Sequence, residues 1–151
     1  MSVLPAGTSP DAETRQRLSL PAVQAFVRIA DLWRLTELEQ LGLLGESVSQ
    51  QTLSGWQQGK IHGALNQDQI MRMSYLLGIY EGLERIWRRT PAQTDAWVRR
   101  ATDDVPFLGR APLAYMLVGG IPAMAETRAY IDAANFGPPS RESFRPMPHE
   151  G

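Results

Sequence analysis

The sequence has no cysteine, and only two of its 151 residues, His62 and His149, are histidines. Disulfides, thiolate nucleophiles and cysteine-based metal sites are thereby excluded, a composition that fits a reducing cytoplasm, the location expected here. No His-x-x-x-His or Glu-x-x-His spacing exists to chelate a metal ion, and neither a Gly-x-Ser-x-Gly elbow nor a Walker-type phosphate loop is present. No cofactor is expected, and the chain is not expected to be an enzyme. It also lacks an excess of positive charge: 15 basic against 16 acidic side chains give a formal net charge of −1. Proteins that coat nucleic acid are usually basic, so any DNA binding must come from a local patch. No apolar run approaches the ~20 residues that span a bilayer, and no basic region followed by an apolar stretch marks a signal peptide. The Asp103-Asp104 pair, just before a proline turn, reads as a solvated loop and not as a catalytic dyad. His62, beside Gly63, reads as a surface loop residue.

What is present is a helical pattern. Hydrophobic residues make up 43% of the chain, enough for a core. No strand-like alternation persists for more than a few residues. The fold class expected is all-α, a helical bundle. Residues 1–18, polar with Pro5, Gly7 and Pro10, read as a flexible arm. Residues 137–151 form a proline-rich tail that cannot be helical, because each proline removes a backbone donor. A first helix is expected from Pro21, with Val23, Phe26, Val27 and Ala30 on one face and Trp33 beyond. A second opens at Thr36 with Glu39 three residues on, a capping box; Leu38, Leu41 and Leu44 should point inward, and Gly45 should end it. A third short helix spans about Gln50 to Gln58, capped by Ser47 or Ser49 and stopped by Gly59. The longest helix starts after Asn66 and carries Ile70, Met73, Leu77, Tyr80, Leu83 and Trp87. Gly78 and Gly82, four apart on it, would admit a close neighbouring helix, either in a dimer or in the monomer's own core. Thr90-Pro91-Ala92-Gln93 opens a fifth helix with Trp97 and Val98 as core residues. After a loop over 103–111, Pro112 begins a sixth that stops at Gly119-Gly120, and Pro122 begins a seventh.

Two short helices joined by a turn, inside a bundle, form a helix-turn-helix whose second helix can enter a DNA major groove. The candidate reading residues are Gln50, Gln51, Thr52, Ser54 and Gln57, with Lys60 as the nearby cation. Gln pairs bidentately with adenine, and Ser or Thr reaches bases or phosphates. The scarcity of cations works against it, since phosphate neutralisation supplies most non-specific affinity, and the same unit used purely as scaffold remains the alternative. Arg85, Arg88, Arg89, Arg99 and Arg100 gather around the turn between the fourth and fifth helices, where they either complement helix dipoles or dock a partner. In the tail, Arg141, Phe144, Arg145, Met147, His149 and Glu150 supply an aromatic anchor and charges on an extended strip; prolines reduce the entropy lost when such a strip docks.

Several segments together resemble a known family. Leu32-Trp33-Arg34-Leu35-Thr36-Glu37, Leu43-Leu44-Gly45, Thr52-Leu53-Ser54-Gly55-Trp56-Gln57-Gln58-Gly59, Leu65-Asn66-Gln67-Asp68-Gln69 and Tyr75-Leu76-Leu77-Gly78-Ile79-Tyr80 resemble the Xre-like helix-turn-helix half of Xre/MbcA/ParS antitoxins. Pro106-Phe107-Leu108-Gly109-Arg110-Ala111-Pro112-Leu113, followed by Leu117-Val118-Gly119-Gly120, resembles that family's C-terminal toxin-binding unit. The ordered match covers roughly residues 20–136. It implies a helix-turn-helix unit over 19–89, a toxin-binding unit over 90–136 that includes Arg110, and a partner toxin of the RES-domain class, which consumes NAD or transfers ADP-ribose. It implies an antitoxin of a type II pair that blocks the toxin's active site, with self-regulating operator binding, as a homodimer or a hetero-oligomer with the toxin and without a membrane role. A stand-alone helix-turn-helix transcriptional regulator is the alternative. Two departures from the family pattern, a turn after Gly45 about two residues longer than usual and a reading helix without arginine, bear on DNA binding only.

Overall fold

The computed structural model describes residues 11–88, 90 and 92–136; among these, of Ala92 the backbone alone. Six helices and no strand occur among them: α1 (Ala12–Leu32), α2 (Glu37–Leu43), α3 (Gln50–Gln57), α4 (Gln67–Ile86), α5 (Ala92–Arg99) and α6 (Pro112–Phe136). No helix among the described residues is long and apolar enough to cross a membrane.

Helix α1 begins nine residues before the proline that the apolar periodicity marks as its start. Asp11 is the N-cap, its carboxylate accepting from the Thr14 amide at 2.8 Å, and Glu13 adds negative charge to the first turn. Pro21 lies inside the helix, where it removes one backbone hydrogen bond without ending it. Residues 12–18 are therefore part of the bundle and not of an arm; residues 1–10 lie outside the described region. The periodicity hides this extension because a core position is filled by Ser19. Its hydroxyl donates to the Arg15 carbonyl at 2.6 Å and accepts from the Leu65 amide at 2.9 Å, so α1 is tied to the segment entering α4.

The later caps follow the sequence closely. Thr36 and Glu39 form the capping box of α2, Ser49 caps α3, and Asn66 with Gln69 forms a second box on α4. Gly45 and Gly59 take positive φ after α2 and α3, a conformation that costs glycine nothing.

Helix α4 is the axis of the molecule. Every residue from Met73 to Ile79 is buried, with α1 and α6 both packed against the helix. The two glycines permit this. A β-carbon at Gly78 would sit 2.8 Å from the Arg128 guanidinium, and one at Gly82 would run into Ile131 of α6. Asn135 then donates from Nδ2 to the Gly82 carbonyl at 3.1 Å. The close neighbour that the glycines admit is a helix of the same chain, so this face is not open to a second copy.

Helix α6 is two helical segments joined at Gly120, whose φ of 64° and ψ of −146° are open to glycine alone. Thus the expected sixth and seventh helices are both present, with a one-residue break between them. The Tyr115 hydroxyl donates to Glu126 at 2.8 Å across the break. The core runs without interruption from Ala22 to Ile131, so the units expected at 19–89 and 90–136 share one interior.

Candidate functional site

Two exposed surfaces stand out. The first is built on α3. Leu53 and Trp56 anchor this helix in the core, which turns Gln50, Gln51, Thr52, Ser54 and Gln57 outward; Lys60 beyond it is also exposed. The six proposed reading residues thus lie together on one exposed helix and its exit. Thr52 is partly committed: its amide donates to the Ser49 hydroxyl, and its own hydroxyl accepts from Ser49 at 2.9 Å.

The placement of α3 depends on residues that the sequence reading passed over. Six residues, 44–49, separate it from α2, and Gly45 and Glu46 both take positive φ. Arg72 of α4 braces this turn. Its side chain is only 15% exposed, and its guanidinium pairs with Asp68 at 2.7 Å, donates to the Leu43 carbonyl at 3.2 Å, and lies 2.7 Å from where a β-carbon on Gly45 would be. Gln69 donates to Ser47 at 3.1 Å beside it. The only sequence trace of this brace is the four-residue spacing of Asp68 and Arg72. The turn also has local ties, the amides of Gly45 and Glu46 donating to the carbonyls of Gly42 and Leu41 and the Ser47 hydroxyl to that of Leu44; the contacts from α4 add a long-range brace that no local pattern announces.

Cations also approach α3 from elsewhere. Gln57 lines an open groove of about 900 Å³ together with Arg28 of α1 and Arg34 of the α1–α2 turn. Asp31 shares the groove, so its balance is only mildly positive. The arginine cluster expected at the α4–α5 turn is divided. Arg99 turns to the α1–α2 junction, donating to Glu39 at 3.1 Å and to the carbonyls of Trp33 and Arg34 at 3.0 and 2.9 Å, with Asp95 at 3.3 Å. Burial raises the Glu39 carboxyl, but the hydrogen bonds from Arg99 and from the Thr36 amide outweigh it and hold its pKa below the usual value. Arg85 lies 5.7 Å from the Phe136 ring, and Arg88 borders a hollow on α4. Arg89 lies outside the described residues.

The second surface is apolar. Residues 112–125, Pro-Leu-Ala-Tyr-Met-Leu-Val-Gly-Gly-Ile-Pro-Ala-Met-Ala, contain no charge. Leu113, Met116, Ala123 and Met124 face the core, while Ala114, Val118, Gly119 and Pro122 face outward. Val118 is 78% exposed; Val105 and Leu108, in the loop leading into α6, are 72% and 71% exposed. Leu38, expected to point inward, is 77% exposed. It sits one turn before Gly42, and Gly42 is where α2 meets Leu117 of α6. The face of α2 that carries Leu38 is thus turned along α6, while Leu41 and Leu43 fill the interior.

The loop that presents Val105 and Leu108 is rigidly held. Thr102 and Arg110 close it as an isolated antiparallel bridge. Phe107 is buried between Trp97, Tyr130 and Tyr115, with ring centroids 5.9, 5.1 and 5.6 Å away. Asp104 corrects the reading of a solvated carboxylate pair: it is half-buried, its carboxylate accepts from the Tyr130 hydroxyl, and its backbone carbonyl accepts from the amides of Phe107 and Leu108. The aromatic cluster needs that hydroxyl partnered, which is why one of the two aspartates turns inward. Asp103 stays exposed, as does His62. Arg110 is exposed on the rim of the loop. The other proposed toxin contacts, Arg141, Phe144, Arg145, Met147, His149 and Glu150, lie outside the described residues. No group of three or more histidine or acidic side chains is positioned to hold a metal ion among the described residues.

No family model matches the chain, and no solved structure matches it. Over 132 residues it is 36% identical to a protein of Sinorhizobium fredii strain NGR234 described as uncharacterized protein y4oB, an alignment covering 87% of this chain and 95% of that protein. Identity at that level over nearly the whole of both chains places them in one family, and this chain belongs to it.

Proposed function

We propose that this protein acts by binding, not by catalysis, as the antitoxin of a type II toxin–antitoxin pair. It silences a RES-domain toxin that consumes NAD or transfers ADP-ribose. The observation that carries the reading is the uncharged exposed strip of α6 with the Val105–Leu108 loop beside it. Exposed apolar side chains in one region mark protein–protein contacts, and this region is held by a buried aromatic cluster rather than left to move. A rigid apolar platform loses little entropy on association. Arg110 on its rim and the tail beyond Phe136 add polar contacts of the kind that fix register at an interface. In this reading the tail enters or crosses the toxin's NAD cleft.

A self-regulating operator contact is the second part of the reading. It is supported by the outward set of glutamines on α3, by the brace that holds α3 against α4, and by Arg28 and Arg34 beside Gln57. As a helix-turn-helix, this unit would read bases from α3 while Arg28 and Arg34 meet phosphate. The alternative, a stand-alone transcriptional regulator, needs no α6 surface.

The test is co-expression with the product of the neighbouring gene. Recovery of both proteins together, with rescue of cell growth and of NAD, is the expected result. Val118→Asp should abolish rescue while leaving the folded protein intact, because Val118 touches solvent and not the core. Gln51→Ala should leave rescue unchanged and weaken binding to the upstream duplex. Failure of the two proteins to associate would overturn the antitoxin reading. Tight, salt-sensitive duplex binding by this chain alone, with no partner found, would favour the regulator.

A further inference from the structure

Helices α1 and α4 leave a trough between them. Three adjoining hollows of about 500, 410 and 290 Å³ share Glu84 as a wall. Ala25, Leu32, Leu77 and Tyr80 supply apolar lining, and Glu81 contributes a carboxylate whose Oε1 is buried with no hydrogen-bond partner among the described residues. Charged groups elsewhere on the trough are Arg28 from α1, Arg85 from α4 and Arg88 just beyond its end.

The described chain ends at the mouth of this trough. Helices α4 and α6 run in the same direction, with Gly78 against Arg128 and Gly82 against Ile131, so Phe136 reaches Arg85. Arg85 lines the same hollow as Glu81, Glu84 and Arg88. From there the chain has 15 more residues, Gly-Pro-Pro-Ser-Arg-Glu-Ser-Phe-Arg-Pro-Met-Pro-His-Glu-Gly.

We propose that residues 137–151 dock back into the α1–α4 trough of their own chain, with Arg141 or Arg145 on Glu81 and Phe144 against Tyr80. Proline-rich segments bind grooves lined with aromatic side chains because little chain entropy is left to lose. Glu81 and Glu84 both line the trough, and a guanidinium pairs with a carboxylate more strongly than any neutral donor does. The trough carries both signs of charge and so does the tail, with Glu142 available to Arg88. Reach is sufficient: five residues at ~3.1 Å each carry Arg141 about 15 Å from Phe136, against ~6 Å of helix between Arg85 and Glu81. Tethering so close to the groove raises the local concentration of the tail to the millimolar range, so weak contacts suffice. The inference stands without the antitoxin reading. If that reading holds, the tail must leave its own groove to enter a partner's, and release becomes a step that tunes inhibition.

The absence of cysteine makes the test direct. In the full chain, Ser143→Cys carries a single nitroxide spin label, and amide resonances are compared with and without reduction of the label. Selective loss of intensity at Ala25, Arg28, Tyr80 and Glu84 is expected, with recovery on Glu81→Gln/Glu84→Gln. Should that variant lose its native spectrum, Arg141→Gln/Arg145→Gln, outside the core, gives the same comparison. Broadening limited to the end of α6, or spread evenly over the surface, would overturn the proposal. So would broadening seen only in an isotope-labelled copy mixed with a spin-labelled one, which would place a second copy's tail in the groove. Retention of the selective pattern in the charge variants would overturn the guanidinium–carboxylate anchor.

Discussion

Gly82→Ala tests the packing argument most directly. In an exposed helix interior, replacing glycine with alanine stabilises by about 1 kcal/mol, because glycine loses more backbone entropy on folding. At Gly82 the new methyl would meet the Cγ2 of Ile131 and lie 3.3 Å from the Asn135 amide nitrogen. Overpacking of this kind costs about 1–3 kcal/mol. Moving Asn135 also weakens its hydrogen bond to the Gly82 carbonyl, worth about 0.5–1.5 kcal/mol. Subtracting the propensity gain leaves a net loss of roughly 1–3 kcal/mol, a fall of several degrees in Tm for a chain of this size. Gly55→Ala in α3 is the internal control. Its nearest neighbour is the Lys60 carbonyl at an ordinary 3.5 Å, so the propensity gain of up to about 1 kcal/mol should survive. Urea unfolding of both variants reads the difference. Ile131→Ala alone should cost about 2–5 kcal/mol, and adding Gly82→Ala to it should cost less than in the native background, since the obstructing methyl is gone. Equal stabilisation by both glycine substitutions would refute the close α4–α6 contact.

Three further outcomes follow from the same geometry. Arg99→Ala should destabilise by about 1–2 kcal/mol, after allowance for the partial exposure of the pair with Glu39. Because the Glu39 pKa is lowered in the folded state, its contribution is present above the unfolded carboxyl value and lost as pH falls through the folded one. The gap between native and variant in denaturant titrations should therefore narrow on the acid side. Thr36→Ala removes one half of a capping box and should cost about 1 kcal/mol in the same assay. Burial first, and then the hydrogen bond to Glu84, push the Tyr80 phenol up to about 12. Its ultraviolet titration should lag that of an exposed tyrosine, Glu84→Gln should shorten the lag, and the stability it confers should be lost between about pH 10 and 12.

The sequence alone determined the helical elements and most of their ends. Thr36 with Glu39 and Asn66 with Gln69 announce helix starts because capping is settled within four residues, and Gly45, Gly59 and Gly120 mark ends because only glycine enters those backbone regions freely. The outward set on α3 was also legible, since Leu53 and Trp56 fix which face turns in. Other features were decided between elements distant in sequence. That Gly78 and Gly82 receive α6, that Leu38 turns outward while Asp104 turns inward, and that Arg72 and Arg99 brace turns 29 and more than 60 residues away are outcomes of packing. Local periodicity reports how a helix divides into faces; what each face meets depends on the other helices competing to cover it. The start of α1 was hidden for the same reason: a buried serine interrupts the apolar pattern, and its reason for being there, the Leu65 amide, lies 46 residues away.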